Sequence, residues 1–191
     1  MIDLVGFPIE NDYEYLVSSH VDRNIIDQLI DELKMSQFFA VGSEQNTKEI
    51  IARVKKSHEI FIDETNRITF LDAEEIAEEN CVSELKLLFD LLPLKQYFDL
   101  HFSATYIETK YTFKIGEYTY TLWDYKEPLF RQESWKLAMS RFIRAINIFL
   151  TYMNDPNNII YDYSGNDTTC LILSKDMIQI LEKYRTISKK Y

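Results

Sequence analysis

The side chains of this chain best suited to chemistry are carboxylates and histidines, and one pair of them is closely spaced. Asp99 and His101 are separated by one residue, so an extended segment would present both on the same face. An aspartate that orients a histidine can support general-base catalysis. No Gly-x-Ser-x-Gly turn supplies a serine nucleophile, and neither cysteine has a local catalytic signature. The pair is therefore either a catalytic dyad or a structural histidine near the start of a strand.

Glycine, cysteine and histidine are too scattered to build the common cofactor sites. The four glycines lie far apart, which excludes the Gly-x-x-x-x-Gly-Lys phosphate loop and the Gly-x-Gly-x-x-Gly dinucleotide turn. Cys81 and Cys170 have no Cys-x-x-Cys partner, and the three histidines form no His-Glu-x-x-His motif. The sequence therefore predicts no cofactor, no metal and two reduced, buried thiols, as in cytosolic proteins.

The densest charged feature is a run of glutamates in a predicted helix. Helical spacing places these glutamates on the face opposite Ala77 and Cys81. One interpretation is a docking surface for a basic protein, and the other is an ordinary solvated face whose first carboxylates favour the helix dipole. A calcium site is disfavoured because no glycine or asparagine turn interrupts the run. The glutamates are Glu74, Glu75, Glu78 and Glu79.

The charge of the chain is divided unevenly between its halves. Residues 1–100 contain 21 Asp and Glu against 9 Lys and Arg, whereas residues 101–191 contain 10 against 12. The halves therefore have net charges of −12 and +2, which give −10 for the chain. An acidic half repels nucleic acid and anionic membranes and attracts basic surfaces. Asp27 and Asp31 of this half are added to the predicted docking surface.

Aromatic residues cluster in one predicted hairpin, formed by strands at 105–114 and 117–125. Strand alternation places most apolar side chains of the hairpin on one face and the charged ones on the other. By the same alternation Tyr106 and Trp123 lie on the polar face. Since tyrosine and tryptophan are enriched at protein interfaces, both are predicted partner contacts. Base stacking is disfavoured because acidic residues offset the neighbouring lysines.

Hydrophobic periodicity predicts the helices that position these features. The first helix follows Asp22, and a long helix capped by Asp72 is predicted to run to Pro93. A helix at 133–153 is apolar around most of its circumference, which predicts a central position. Ser174 is predicted to begin the last helix.

Alternating β-branched and aromatic residues between turn signals predict the strands. Hairpin-then-helix units recur along the chain. The predicted hairpins pair 59–63 with 67–71, 105–114 with 117–125 and 159–163 with 168–173. The predicted fold class is α+β, with an antiparallel or mixed sheet built from hairpins and packed against about five helices in a single domain, 1–191. The predicted strands lie at 13–18, 37–42, 59–63, 67–71, 105–114, 117–125, 159–163 and 168–173.

Length and composition bound the class of protein. A chain of 191 residues with 46% hydrophobic residues is long enough to bury a sizeable core without disulfides. The N-terminus lacks a basic region followed by an apolar run, so a cytoplasmic protein that does not bind membranes is expected. The small, acidic, aromatic-rich profile is similar in kind to that of bacterial immunity proteins, which block toxic enzymes. This likeness is one of composition and involves no residue motif.

Three functions remain open from the sequence. The first is a non-enzymatic acidic protein-binding module of the immunity or inhibitor type, which neutralises a basic partner such as a nuclease. The second is an enzyme of unknown substrate that uses scattered carboxylates or the Asp99/His101 pair. The third is a DNA mimic, for which the total charge is modest. The expected partner in the first case is a basic protein, with no nucleic acid and no cofactor.

Overall fold

The computed structural model describes residues 1–5, 11–40, 42–78, 80–92, 100–127 and 130–190. Within these ranges nine strands and six α-helices form an α+β fold, as predicted. The strands are β1 (Ile2–Asp3), β2 (Tyr15–Val17), β3 (Ile68–Asp72), β4 (Phe102–Ile107), β5 (Lys110–Ile115), β6 (Tyr118–Asp124), β7 (Asn157–Tyr163), β8 (Asp167–Ser174) and β9 (Ile187–Lys189). The helices are α1 (Ile26–Met35), α2 (Glu44–Ser57), α3 (Ala73–Ala77), α4 (Cys81–Leu91), α5 (Phe130–Tyr152) and α6 (Lys175–Lys183).

The strands form three sheets. One has the order β1-β6-β5-β4, with β1 parallel to β6, and the second has the antiparallel order β3-β8-β7. The third sheet pairs β2 with β9, and a bridge between Glu14 and Tyr161 places β2 beside β7. In the described part of the chain, β3 is therefore an edge strand that pairs with β8 alone.

The β7–β8 hairpin separates two hydrophobic clusters. Alternate residues of β8 face opposite sides, so Cys170 belongs to one cluster and Leu171 to the other. The first cluster also contains apolar residues of α3, α4, α5 and β4–β6, and the second contains those of α1, α2 and α6. Both faces of this hairpin are therefore buried.

The long helix α5 lies in the first cluster, which confirms the predicted central helix. Phe142 and Ile146 are fully buried in it. The buried Asn147 amide accepts a hydrogen bond from Ile159 N–H at 2.7 Å and donates one to Ile159 C=O at 2.8 Å. This side chain therefore ties the helix to β7. No helix in the described ranges combines the length and the apolarity that crossing a membrane requires.

Two predicted strands are wrong. Phe38 and Phe39 are buried, but they lie in a turn after α1, where Gln37 adopts a left-handed backbone with φ of 63°. Residues 59–63 do not pair with β3, and Ile60 and Phe61 are buried in an irregular segment. Short buried apolar runs have no periodicity that distinguishes a strand from a turn, which explains both errors.

The long helix predicted after Asp72 is two helices, α3 and α4. Asn80 interrupts it, since its N–H bonds to Glu75 C=O at 2.8 Å and its side-chain amide bonds to the Glu75 carboxylate at 2.6 Å. Asparagine competes in this way with helical hydrogen bonding. Helix α4 ends at Leu91, and Pro93 lies outside the described residues.

The predicted strand at 105–114 is also two strands, β4 and β5. They are joined by a turn in which Glu108 has a φ of 57°. The alternation predicts Phe113 opposite Tyr118, but Phe113 pairs with Tyr120. Because the partner is displaced by two positions, the faces of Phe113 and Tyr120 are unchanged by this error.

Candidate protein-binding site

Six carboxylates from four elements gather where β3 ends and α3 begins, and we call this set the acidic corner. Its side chains come from β3, from α3 and the turn after it, from α4 and from β8. The set consists of Asp72, Glu74, Glu75, Glu78, Glu84 and Asp167.

Asp72 begins α3, which confirms its predicted capping role. Its Oδ1 accepts hydrogen bonds from the backbone N–H of Glu74 at 2.9 Å and of Glu75 at 3.1 Å. An N-cap carboxylate satisfies backbone donors that a helix leaves open at its first turn. The cap thereby fixes the start of α3 and the positions of Glu74 and Glu75 in its first turn.

Asp167 lies directly opposite Asp72 on the neighbouring strand β8. Like charges in this arrangement are destabilising. The turn before β8 adds a third carboxylate, because Asn166 C=O accepts from Ala73 N–H at 2.8 Å while the Asn166 amide donates to Glu74 Oε2 at 3.0 Å. The β3–β8 pairing therefore brings acidic groups distant in sequence into one place.

Glu84 is the buried member of the acidic corner, with 7% of its surface exposed. Its Oε2 accepts a hydrogen bond from Asp72 N–H at 3.0 Å. Burial is the main reason that the pKa of the Glu84 carboxyl is raised; the charges of Asp72 and Glu75 add to the rise, against the lowering by the Asp72 N–H. Ionised Glu84 is therefore less stable at this buried position than it would be in water.

Replacing Glu84 by glutamine is expected to stabilise the protein increasingly as the pH rises. A carboxyl with a raised folded-state pKa contributes its full stability below the unfolded value and loses it as the pH rises through the folded value. The ordinary pKa is 4.5, so the advantage of Glu84→Gln should grow above that pH. Urea unfolding of both proteins at several pH values measures it. An advantage independent of pH would contradict this account of Glu84.

The acidic corner contrasts with those carboxylates of the acidic half that form ion pairs. Asp27 pairs with Lys55 at 2.6 Å and Asp31 with Lys34 at 3.1 Å. None of the ion pairs found among the described residues involves a carboxylate of the corner. Among the described residues, its charge is therefore met by hydrogen bonds and by no ion pair.

The structure gathers only some of the predicted docking residues. Glu75 and Glu78 are exposed and Glu74 is half-buried, whereas Glu79 lies outside the described residues. The two aspartates predicted on α1 are exposed, but α1 packs against α2 and α6, and α3 packs against α4 and α5. These aspartates therefore belong to a different part of the fold.

The predicted exposure of Trp123 is wrong, because this side chain is 1% exposed. The ladder shifts by one residue between Tyr111 and Thr112, which reverses the strand alternation before Trp123. The indole stacks on Tyr111, with ring centroids 4.5 Å apart. Tyr106 is half-buried and stacks on Tyr125, and their hydroxyls are 2.7 Å apart. Trp123 is therefore a core residue.

The features predicted for catalysis are not assembled in the described residues. Asp99 lies outside those residues, and His101 is exposed. Both cysteines are buried; burial raises the pKa of Cys81 to about 11 and also raises that of Cys170. Since the thiolate is the nucleophile, neither is activated. Within the described ranges, no three His, Cys, Asp or Glu side chains could hold a metal ion.

Three cavities of about 520, 450 and 400 Å³ lie elsewhere on the molecule. The largest lies beside α2 and is lined by Glu49, Ile50, Arg53, Glu64 and Asn46. No residue of the acidic corner lines these three cavities. The acidic corner is therefore not part of any of these three cavities.

Phe70 is the neighbour of the acidic corner that sequence reasoning missed. It is 57% exposed and lies two residues before Asp72 on β3, so both side chains share a face. The sequence feature that could have identified Phe70 is its position two residues before the helix cap Asp72. In a strand this spacing places both side chains on the same face. The signal was obscured because residues 59–63 were predicted as the partner of this strand.

No family model, curated protein or solved structure matches this chain.

Proposed function

We propose that this chain is a cytoplasmic, non-enzymatic protein-binding module of the immunity or inhibitor type, which neutralises a basic protein such as a nuclease. One observation carries the proposal. Asp72 and Asp167 lie opposite each other beside the buried Glu84, and no ion pair among the described residues balances them. Two free, buried cysteines are consistent with a reducing compartment.

A basic partner would relieve the repulsion in the acidic corner. Lysine and arginine donate charge-assisted hydrogen bonds to carboxylates, and such bonds are roughly twice as strong as neutral ones. Opposite charges on the two proteins also steer their encounter and raise the association rate. Binding a positive surface relieves the repulsion between the crowded carboxylates, whereas binding a neutral or negative surface does not. The acidic corner therefore favours basic partners.

Phe70 supplies the apolar contact that such an interface needs. Protein interfaces centre on a few large side chains surrounded by polar residues. Phe70 is exposed on β3, and the acidic corner begins two residues further along the strand. We therefore place the centre of the interface at Phe70 and its acidic rim at the corner.

Reversing three glutamates of the corner tests this function. The variant carries Glu74→Lys, Glu75→Lys and Glu78→Lys. Exposed positions such as Glu75 and Glu78 tolerate substitution within about 0.5 kcal/mol each. Glu74 is half-buried, and its reversal also removes the hydrogen bond from Asn166, so the fold of the variant is checked by circular dichroism. Retention of basic proteins from a lysate of the native host, measured at low and then high salt, should fall sharply.

The matched control reverses Glu59, Asp90 and Glu117, which are exposed at other places on the molecule. Both variants change the net charge equally, so only the position of the reversal differs. Undiminished retention by the corner variant would exclude this site. An equal loss in both variants would show that total charge, and not the corner, captures the partner.

A further inference from the structure

The hydrogen bonds of β3 define which of its backbone groups face away from the sheet. At its two ends, Ile172 N–H donates to Arg67 C=O at 2.9 Å and Ala73 N–H donates to Asn166 C=O at 2.8 Å. In an antiparallel pair, residues that bond to the partner alternate with residues that point away from it. The odd-numbered residues of this segment therefore bond to β8, and the even-numbered ones face outward.

The outward-facing residues are Ile68, Phe70 and Asp72. Glu84 Oε2 occupies the N–H of Asp72. Within the described structure, the backbone N–H and C=O of Ile68 and Phe70 form no hydrogen bond. An unpaired row of this kind is a template for another strand. Four backbone groups are thus available between the start and the middle of β3.

The side chains on this edge are those of a contact surface. Phe70 is 57% exposed, and Ile68, on the same face, is half-buried. Proteins usually protect edge strands with lysine, proline or bulges. β3 contains none of these, and the only outward N–H that is occupied is at its acidic end.

We propose that β3 is a docking edge on which the partner protein adds an extended basic segment as a further strand. The inference rests on the proposed function and specifies how the partner is recognised. Main-chain hydrogen bonds to Ile68 and Phe70 supply affinity, and side chains at alternate positions supply specificity. An apolar side chain of the segment lies against Phe70.

Charge complementarity assigns the basic character of the segment. Residues of the added segment have the same spacing as those of β3, about 3.3 Å each. If one of its residues lies opposite Phe70, the residue two positions away therefore lies beside Asp72. Asp167 lies opposite Asp72 on β8, one strand further from that position, and the Glu84 carboxylate accepts from the outward N–H of Asp72. Lysine or arginine there meets the Asp72 carboxylate at the edge of the acidic corner. A second copy of this chain is a poor occupant, because each copy has a net charge of −10.

Short synthetic peptides test the edge directly. The probes are an alternating valine–lysine peptide, its valine–glutamate counterpart and a valine–lysine peptide interrupted by prolines. We expect the first to bind and to protect the Ile68 and Phe70 amides from hydrogen exchange. The proline peptide should bind about tenfold less tightly because it lacks backbone donors, and the acidic peptide should not bind.

Two variants of the protein complete the test. Phe70→Pro removes an outward N–H and leaves the bonds to β8 intact, which edge strands tolerate. We expect about a tenfold loss of affinity for the basic peptide. Phe70→Ala keeps the N–H and removes the ring. If Phe70→Pro fails to fold, weaker binding by Phe70→Ala together with amide protection in the native protein supports the edge.

The outcomes separate the edge from the function on which it rests. If binding of the valine–lysine peptide is reduced by reversing the acidic corner but unaffected by Phe70→Pro, the docking edge is overturned and the proposed function stands. If binding of this peptide survives the corner reversal, the proposed function is overturned. Peptide binding without protection of the Ile68 and Phe70 amides overturns the edge. So does a dimer abolished by Phe70→Pro, because the edge would then pair with a second copy.

Discussion

Replacing Trp123 by alanine is expected to lower the free energy of unfolding by about 3–5 kcal/mol. The side chain is 1% exposed and stacks on Tyr111, so its removal leaves a large cavity. Strand alternation alone predicts an exposed indole, for which the cost would be small. Urea unfolding followed by circular dichroism measures the difference.

Tyr125→Ala is the matched control, because this aromatic residue lies two positions further along the chain and is 48% exposed. We expect the control to lose much less stability than Trp123→Ala. Equal, small losses in the two variants would place Trp123 on the surface and restore it as an interface candidate. Partner capture by folded Trp123→Ala should remain.

Replacing Arg141 by methionine is expected to destabilise the protein by about 3–5 kcal/mol. The guanidinium is 3% exposed, contacts both carboxylate oxygens of Glu127 at 2.5 and 2.7 Å, and donates to Leu122 C=O at 3.0 Å. Its loss leaves the 9% exposed Glu127 carboxylate without this cation. Urea unfolding of Arg141→Met at neutral pH measures the loss.

The double variant Arg141→Met, Glu127→Leu separates the pair from its surroundings. Replacing both charges with apolar side chains of similar size removes the desolvation of the unpaired carboxylate, so much of the stability should return. If the stability losses of Arg141→Met and Glu127→Leu alone simply add in the double variant, the two residues act independently, which would contradict the bidentate geometry.

Elements with a strong local signal could be predicted from the sequence. Helix α5 is recognisable because apolar residues cover most of its circumference, and burial is its only stable environment. Helix α6 begins after Ser174, whose hydroxyl accepts from Met177 N–H at 3.3 Å, as the capping preference indicates. The β7–β8 hairpin is short in sequence, and its pairing was predicted correctly.

The partner of β3 could not be predicted, and this is why the candidate site was only half recognised. The nearest apolar run, 59–63, satisfies the sequence pattern of a hairpin, but β3 pairs with the distant β8. Nothing in the local pattern encodes a pairing across so many residues. The glutamates of α3 were therefore predicted, whereas Asp167 and Phe70 were not.

A single irregularity accounts for the error at Trp123. Side-chain direction in a strand has a period of two, so one extra residue reverses every assignment beyond it. The bulge between Tyr111 and Thr112 lies inside an otherwise regular hairpin. No glycine or proline marks it, so the sequence pattern continues through it without a sign of the reversal.

The most direct test of the proposed function is the association rate of the purified partner with the native protein, the corner variant and the control variant at increasing salt concentration. We predict a rate for the native protein that falls steeply with salt, because opposite charges steer the encounter. The control variant should keep most of that slope, and the variant reversed at Glu74, Glu75 and Glu78 should lose it. The same salt slope in all three proteins would contradict recognition through the acidic corner.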